Sequence, residues 1–312
     1  MKSVYGRMKS FFTQLPLPSA AFQVTSSYVS GIHFPQQDKS IKSYFILPLK
    51  KGLIESSFYK NNIKNPDLLK EAMESEMTRL EGFSHTAAFL LPELSQKVFA
   101  FKFDSLPPSR GEKEQIFRFR IQKQMPLLPD DCRIAFDIHS DNTITRALVS
   151  VARSSVIQEY EDFFHTLRFK IRQVGIPSLS LLNLISFEQE KDIALIDIEQ
   201  DSFSLVVVIN SRLFLYRQKP FIIEPGREDN QLKMASNIAQ EIENTLNLIE
   251  DKEKKTVNSI WVRLGVLDFG EKLFARLEEK FMFPVVRIES AISLEMDTEE
   301  KRILAPLIGQ VT

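Results

Sequence analysis

The sequence predicts an α/β protein of two similar halves, each of which opens with a β-hairpin. One hairpin begins near Ala20 and the other near Ile193, and each is followed by helical segments and further short strands. This order indicates a duplicated fold with a cleft between two lobes. We place the first half at 15–186 and the second at 187–312, with a β-α-β-β insertion over about 93–151 in the first half.

The first half combines short apolar strands with two helices. The strands lie on both sides of the turn at 25–27, at 44–49 and at 86–91. Asn65 and Pro66 are typical of a helix start, and the apolar residues after them recur at helical spacing as far as Leu80. A longer apolar face predicts a second helix from Ser154 to Gly175.

The insertion contains one ambiguous segment. Strands are predicted at 98–103, 133–138 and 143–151, with a break at 107–108. Residues 117–122 alternate between apolar and polar, as a strand would. However, Ser109 followed by Glu112 matches a capping box, so we predict a helix between the first two strands.

The second half repeats the hairpin and then alternates helices with strands. Strands are predicted at 193–198, 204–209, 213–217, 259–264 and 285–286, and helices at 237–249, at 269–281 and from about Glu299. Asn210 and Ser211 are typical hairpin turn residues. The last segment, 304–309, resembles a helix that closes the first lobe more than a membrane anchor.

Charge and cysteine content exclude several classes of protein. Forty basic and 41 acidic residues leave a net charge of −1, so the broad basic field of a nucleic-acid-binding protein is absent. The single cysteine, Cys132, cannot form an intramolecular disulfide, which favours a cytoplasmic protein. No apolar run approaches the 18 or so residues of a transmembrane helix.

The sequence lacks the common catalytic signatures. It has no G-x-S-x-G, G-x-G-x-x-G or G-x-x-x-x-G-K-[ST] segment, and only ten glycines in all. The four histidines are scattered, with no cysteine or carboxylate at metal-ligand spacing beside them. We therefore predict no catalytic residue and no metal site.

Several short segments together resemble a known family. They are Ala-Phe-Gln-Val-Thr-Ser-Ser-Tyr-Val-Ser at 21–30, Pro-Leu-Lys-Lys-Gly-Leu-Ile at 48–54, Phe-Arg-Ile-Gln-Lys-Gln-Met-Pro at 119–126, Ala-Leu-Ile-Asp-Ile at 194–198 followed by apolar 205–208, and the helical stretch 241–246. Their order is similar to that of the actin, Hsp70 and sugar-kinase superfamily, and more closely to the PilM family of type IV pilus assembly proteins. The resemblance implies an actin-like two-lobe fold with a nucleotide cleft.

The departures from the family pattern lie at its phosphate motifs. Gln23 stands where the pattern has a metal-organising Asp, and Thr25, followed by Ser26, stands where it has a glycine. Asp197 is retained, but Glu199 replaces the second glycine. Mg²⁺ prefers anionic oxygen, a β-carbon crowds the approach of a phosphate, and a carboxylate repels one.

Two further glycine positions of the family pattern are also changed. The expected glycine pair is Pro225-Gly226, and Gly265 alone remains of the glycines near the base. We therefore expect a degenerate cleft and no cofactor, with ATP and Mg²⁺ bound only if these assignments are wrong.

The resemblance also implies a partner. A PilM-like protein is a scaffold at the inner membrane that binds the N-terminal cytoplasmic tail of the bitopic protein PilN, in a groove beside the inserted subdomain. Other pilus platform proteins are implied as partners, and a homo-oligomer is left open. Candidate contact residues lie in the insertion and combine apolar with basic side chains: Ile116, Phe117, Arg118, Arg120, Ile121 and Lys123.

Two alternatives to this scaffold remain. One is an active actin-like ATPase or kinase, in which Asp197 or Glu199 would reach the metal-bound phosphate. The other is the cytoplasmic part of a type II secretion platform, similar to GspL.

Overall fold

The computed structural model describes residues 18–35, 40–78, 80, 85–140, 144–187, 190–221, 228–265, 270–288 and 296–312, with the backbone alone at 228–231 and 270. Its elements alternate between strands and helices, as the sequence predicts. In chain order the strands are β1 (Ala20–Val24), β2 (Tyr28–His33), β3 (Ser43–Pro48), β4 (Thr86–Leu90), β5 (Gln96–Phe103), β6 (Cys132–Ser140), β7 (Thr145–Arg153), β8 (Lys170–Gly175), β9 (Ile193–Ile198), β10 (Ser202–Ile209), β11 (Arg212–Pro220), β12 (Ser259–Leu264) and β13 (Val285–Arg287). The helices are α1 (Pro66–Met77), α2 (Arg110–Gln124), α3 (Ser154–Thr166), α4 (Pro177–Ser180), α5 (Glu228–Glu253), α6 (Gly270–Lys280) and α7 (Thr298–Val311), with 3₁₀ turns at Glu93–Ser95 and Leu181–Leu184.

The two large sheets have the same topology, which confirms the predicted duplication. The first has the strand order β3-β2-β1-β4-β8 and the second β11-β10-β9-β12-β13. In each sheet three strands that are consecutive in the chain, β1–β3 or β9–β11, form an antiparallel meander. The other two strands extend the sheet in parallel beside β1 or β9. The lobes are therefore two copies of one arrangement.

Helices cover both faces of each sheet. In the first lobe α1 and α3 pack on one face, where Phe164 of α3 lies in one core with Phe22 of β1 and Phe89 of β4. The other face is covered by α7, whose Leu304, Leu307 and Ile308 contact β1, β2 and β4. Burial on both faces explains why β1 and β2 consist entirely of buried residues. The C-terminal helix therefore packs on the first sheet, as expected from the sequence.

The second sheet has the corresponding cover. On one face α5 and α6 pack against apolar residues of β9, β10 and β12. On the other face lie residues of α4 and the following 3₁₀ turn, among them Leu179 and Leu181. The segment that leaves the first lobe thus forms part of the core of the second.

The insertion is a three-stranded antiparallel sheet, β5-β7-β6, with α2 packed on one face. This confirms the helix that the capping box predicts, although Ser109 makes no side-chain capping bond. Phe58, from the loop before α1, lies in the same core as Phe117 and Ile121. The insertion is therefore joined to the first lobe by a shared aromatic side chain.

One predicted helix is too long. The helix that begins at Ser154 ends at Thr166, and the segment up to Gly175 forms β8. Arg168 has a φ of 66°, and the N–H of Phe169 donates to the carbonyl of Phe164 at 2.9 Å. A left-handed residue with such a bond ends a helix. The apolar residues of β8 matched the helical spacing by chance.

Other predicted elements differ in length or lie outside the described residues. The helix predicted at 237–249 is longer, because α5 extends from Glu228 to Glu253. Asn210 and Ser211 both have positive φ, at 52° and 55°, which confirms the predicted hairpin turn. Pro225-Gly226 and the predicted start of α6 at Phe269 are outside the described residues.

Candidate functional site

The first hairpin turn is closed by its own threonine. The Thr25 hydroxyl accepts hydrogen bonds from the backbone N–H of Tyr28 at 3.0 Å and of Ser27 at 3.2 Å, and it donates to the Tyr28 carbonyl at 3.0 Å. These N–H groups lie in the segment that resembles the first phosphate motif. Because a phosphate loop binds its ligand through free N–H groups, this turn does not fit a phosphate.

A fully buried arginine joins the ends of the two hairpins. Arg263, on β12, has no exposed surface. Its Nη1 donates to Asp197 at 3.1 Å and also to Glu199, while its Nη2 donates to the hydroxyl of Tyr28 at 2.6 Å. Tyr28 in turn donates to Glu199 Oε1 at 2.8 Å, and Gln23 Nε2 donates to the same oxygen at 3.2 Å.

The same guanidinium contacts the C-terminal helix. Arg263 Nε donates to the Arg302 carbonyl at 2.9 Å, and Nη2 also donates to the Ile303 carbonyl at 3.0 Å. In a regular helix the Arg302 carbonyl would accept from residue 306, which is Pro306 and has no N–H. With five N–H donors and five acceptors, the Arg263 side chain is completely satisfied.

Burial dominates the electrostatics of this cluster. It raises the pKa of Asp197 and of Glu199 above their ordinary values, although the nearby Arg263 charge acts in the opposite direction. One guanidinium faces two carboxyl groups, and Asp197 Oδ2 and Glu199 Oε2 have no hydrogen-bond partner among the described residues. Burial also raises the pKa of Tyr28, so its hydroxyl remains a donor at neutral pH.

Gly265 lies directly beside the ion pair of Arg263 and Glu199. A β-carbon at this position would lie 2.5 Å from both Arg263 Nη1 and Glu199 Oε2. The absence of a side chain thus makes room for the ion pair. Its N–H donates to the Ile198 carbonyl at 2.7 Å, so this N–H is also used within the protein.

The structure brings four of the six predicted cleft residues together. Asp197 and Glu199 pair with Arg263, and Gly265 faces it. Gln23 joins the cluster through its hydrogen bond to Glu199. Thr25 and Ser26 lie in the adjoining turn. A cation and its carboxylate partners lie at the junction where the two segments that resemble phosphate motifs meet. That this cleft takes no magnesium nucleotide stays a prediction from the sequence.

Sequence reasoning missed the two other members of the cluster. Arg263 lies between the buried residues Val262 and Leu264, and a basic residue within such an apolar strand indicates a buried partner. Tyr28 gave no comparable signal, because tyrosine is common in strands. Pro306 is a second signal, because a proline within a helix leaves the carbonyl of Arg302 without its usual N–H donor. That Arg263 is the donor to this carbonyl is seen only in the folded chain.

A second buried network joins the insertion to the second lobe. Glu93, at its start, accepts from the N–H of Ser178 at 2.8 Å and from the hydroxyl of Tyr216 on β11 at 2.6 Å. The amide of Gln218 donates to the Glu93 carbonyl and accepts from Lys97 at 3.0 Å. Burial raises the pKa of Glu93 and lowers that of Lys97. The insertion is thereby attached to the second lobe as well as the first.

The predicted partner-contact residues divide into two groups. Phe117 and Ile121 are completely buried in the core of the insertion, so their prediction as surface contacts is wrong. They belong to the apolar face of α2, on which the sheet packs. Ile116 and Arg118 are half-buried, and Arg118 donates to the Cys132 carbonyl at 2.9 Å.

Arg120 and Lys123 are exposed, and each contacts an aromatic ring. Arg120 lies 5.3 Å from the ring centre of Phe103 and Lys123 lies 4.5 Å from that of Phe119. Phe119 and Leu127, which the sequence analysis did not select, are 58% and 83% exposed. Exposed apolar and basic side chains therefore do occur along α2 and just beyond it.

The described residues contain neither a membrane-spanning helix nor a metal-binding cluster. No helix there combines the length and the apolar character needed to cross a bilayer. In the same part of the chain, no group of three or more His, Cys, Asp or Glu side chains is placed to hold a metal ion.

Comparisons with known proteins identify the fold. No family model matches the sequence, and no curated protein matches it. The structure is similar to a chain of a PilM-PilN type IV pilus biogenesis complex, with a TM-score of 0.79 and 11% identity over 95% of this chain and 98% of that one. The chain therefore has the actin-like duplicated fold, with an inserted subdomain, that the sequence resemblance implies.

Two other solved structures are similar over most of their length. A Bacteroides thetaiotaomicron protein with an actin-like ATPase fold and unknown function matches with a TM-score of 0.55 and 10% identity, over 95% of this chain and 97% of that one. The cytoplasmic domain of EpsL, an inner membrane component of the type II secretion system of Vibrio cholerae, has a TM-score of only 0.48 at 8% identity, over 85% and 95%. The latter likeness is too weak to favour the type II secretion alternative.

Proposed function

We propose that this chain is a non-catalytic scaffold of a type IV pilus assembly platform, which binds the N-terminal tail of a PilN-like bitopic protein. The observation that carries the proposal is the likeness to the chain of the PilM-PilN complex, with a TM-score of 0.79 over nearly the full length of both chains. Under this proposal the protein is cytoplasmic and is held at the inner membrane by its partner. Other platform proteins, or a second copy of this chain, are further partners.

The chemistry of the cleft supports a non-catalytic role. A magnesium nucleotide needs a carboxylate free to organise the metal and N–H groups free to hold phosphate. Asp197 is engaged by Arg263, and the N–H groups of Ser27 and Tyr28 bond to Thr25. The carboxylate of Glu199 would also repel a phosphate placed beside it.

The exposed side of α2 is the surface that we assign to the partner. Phe119 and Leu127 offer apolar area, and Arg120 and Lys123 add positive charge. This combination suits a short segment that carries both apolar and acidic side chains. The proposed occupant is the tail of the bitopic protein, because it is a short segment on the same side of the membrane as the scaffold.

The partner assignment is tested by peptide binding. A fluorescent peptide of the tail of the candidate PilN-like protein is titrated with the full chain and with Phe119→Asp and Leu127→Asp variants. We expect at least a tenfold loss of affinity in either variant. Met282→Asp is the matched control, because Met282 is a fully exposed apolar residue that lies in the second lobe, outside the insertion. Equal affinity of all four proteins would contradict the assignment.

The non-catalytic assignment is tested separately. The purified chain is incubated with millimolar ATP and Mg²⁺, and both phosphate release and the thermal unfolding midpoint are measured. We expect no hydrolysis above buffer and no shift of the midpoint. Magnesium-dependent hydrolysis would overturn the proposal and favour the ATPase or kinase alternative.

A further inference from the structure

The Arg263 cluster contains groups from both lobes. Arg263, Asp197 and Glu199 belong to the second lobe, on or next to β12 and β9. Gln23 and Tyr28 belong to β1 and β2 of the first sheet, and α7 covers that sheet. The cluster therefore lies across the junction between the lobes.

Five hydrogen bonds cross this junction. Glu199 accepts from Gln23 and from Tyr28, and Arg263 donates to Tyr28 and to two carbonyls of α7. All five involve a carboxylate or a guanidinium, and four of them run between buried groups. Hydrogen bonds to ionised groups are stronger than neutral ones, and low polarity around them strengthens them further.

These bonds make the contacts between the lobes that a bound ligand makes in a protein whose lobes close around it. There, closure depends on bound ligand, because the ligand supplies the contacts to both sides. Here the side chains of the protein supply them, and Pro306 leaves the carbonyl of Arg302 ready for Arg263. Closure then needs no small molecule.

We propose that Arg263 and Glu199 form an interlobe clasp, which holds the two lobes closed without nucleotide through Gln23, Tyr28 and α7. Because Glu93 and Tyr216 attach the insertion to the second lobe, the clasp also keeps the insertion in one position relative to both lobes. The clasp is a property of this chain alone and does not depend on the identity of its partner.

The test measures the distance between the lobes. Spin labels are attached to Glu71→Cys on α1 and Asn247→Cys on α5, two exposed positions. The background is Cys132→Ala, which removes the only native thiol. Double electron-electron resonance then reports the distance distribution in the full chain without ligand. We expect a single narrow distribution, and a second population at longer distance would overturn the proposal.

Tyr28→Phe combined with Gln23→Leu is the test variant. It removes three of the five bonds across the junction but leaves the ion pairs of Arg263 with Asp197 and Glu199 within the second lobe, so that lobe remains intact. We expect a broader distribution with a longer mean distance. An unchanged distribution would show that the cluster has no role in closure.

Tyr160→Phe is the matched control. Tyr160 is another buried tyrosine of the first lobe, and its hydroxyl lies 3.4 Å from Asn62 Oδ1, within that lobe. We expect the wild-type distribution in this variant. The same broadening in Tyr160→Phe would mean that any lost tyrosine hydroxyl loosens the protein, which would also overturn the proposal.

Discussion

Gly265 faces Glu199 so closely that a β-carbon at position 265 would lie 2.5 Å from Glu199 Oε2. Gly265→Ala therefore forces the carboxylate or Arg263 to move within a closed, buried space. We expect a loss of about 1 to 3 kcal/mol in the free energy of unfolding, the usual cost of overpacking. Urea titration followed by circular dichroism measures it.

The control for this substitution is Gly111→Ala. Gly111 lies in the first turn of α2, where the nearest atom to an added β-carbon is 4.0 Å away. There alanine should be neutral or stabilising, since it favours the helix. Equal losses in both variants would show that the crowding at Gly265 has no energetic consequence.

Removal of the Arg263 charge should be the most damaging single change in the cleft. In Arg263→Met two buried carboxyl groups lose their cation, and breaking such a pair costs about 3 to 5 kcal/mol. Arg276→Met is the control, because Arg276 forms an exposed ion pair with Glu279, which contributes about 0 to 1 kcal/mol. Chemical unfolding compares the two, and a small effect of Arg263→Met would contradict the assigned pairing.

Glu199 should make the stability depend on pH. Burial raises the pKa of Glu199 to about 7. The Arg263 charge acts to lower this pKa and the Asp197 charge acts to raise it, and Tyr28 also faces the Glu199 carboxyl group. Because the folded state holds the Glu199 proton more tightly than the unfolded state does, Glu199 stabilises the fold most at low pH. This contribution is complete below the unfolded pKa near 4.5 and is lost as the pH rises through about 7. Relative to Glu199→Gln, the wild type should be more stable at pH 5.5 than at pH 8. The opposite trend in urea titrations at the two pH values would refute this.

Asn62 should be important for the loop that carries Phe58 into the insertion. Its buried side chain donates to the carbonyls of Ser57 at 2.9 Å and Lys60 at 2.7 Å and accepts from the hydroxyl of Ser95. Asn62→Ala leaves buried groups without partners, which costs about 1 to 3 kcal/mol. The neighbouring Asn61 is exposed, so Asn61→Ala should change the unfolding free energy by less than about 0.5 kcal/mol.

Cys132 should be unreactive in the folded protein. Burial raises the pKa of its thiol to about 11, so little reactive thiolate forms at pH 8. Reaction with a chromogenic disulfide should be slow in the native protein and fast in denaturant. Fast and complete labelling without denaturant would contradict the buried position.

Local sequence information was sufficient for most elements of the fold. Alternating apolar runs, the Asn65-Pro66 helix start and the Asn210-Ser211 turn depend on contacts between near neighbours in the chain, and the structure confirms all three. The helix predicted as far as Gly175 failed, because the residues of β8 are buried on a sheet and their spacing also fits a helix. Periodicity alone does not distinguish these two environments.

The sequence by itself, through its resemblance to the family pattern, predicts which residues the cleft lacks: the first metal-organising carboxylate and the glycines of the phosphate turns. Only the tertiary structure decided what is present there. Arg263 is 235 residues from Tyr28 and 64 from Glu199 in the chain, and no local pattern relates them. Arg263 and Glu199 are brought together by the parallel pairing of β9 with β12, and Tyr28 reaches them because the two sheets meet. A buried charge at that junction is stable only where acceptors surround it.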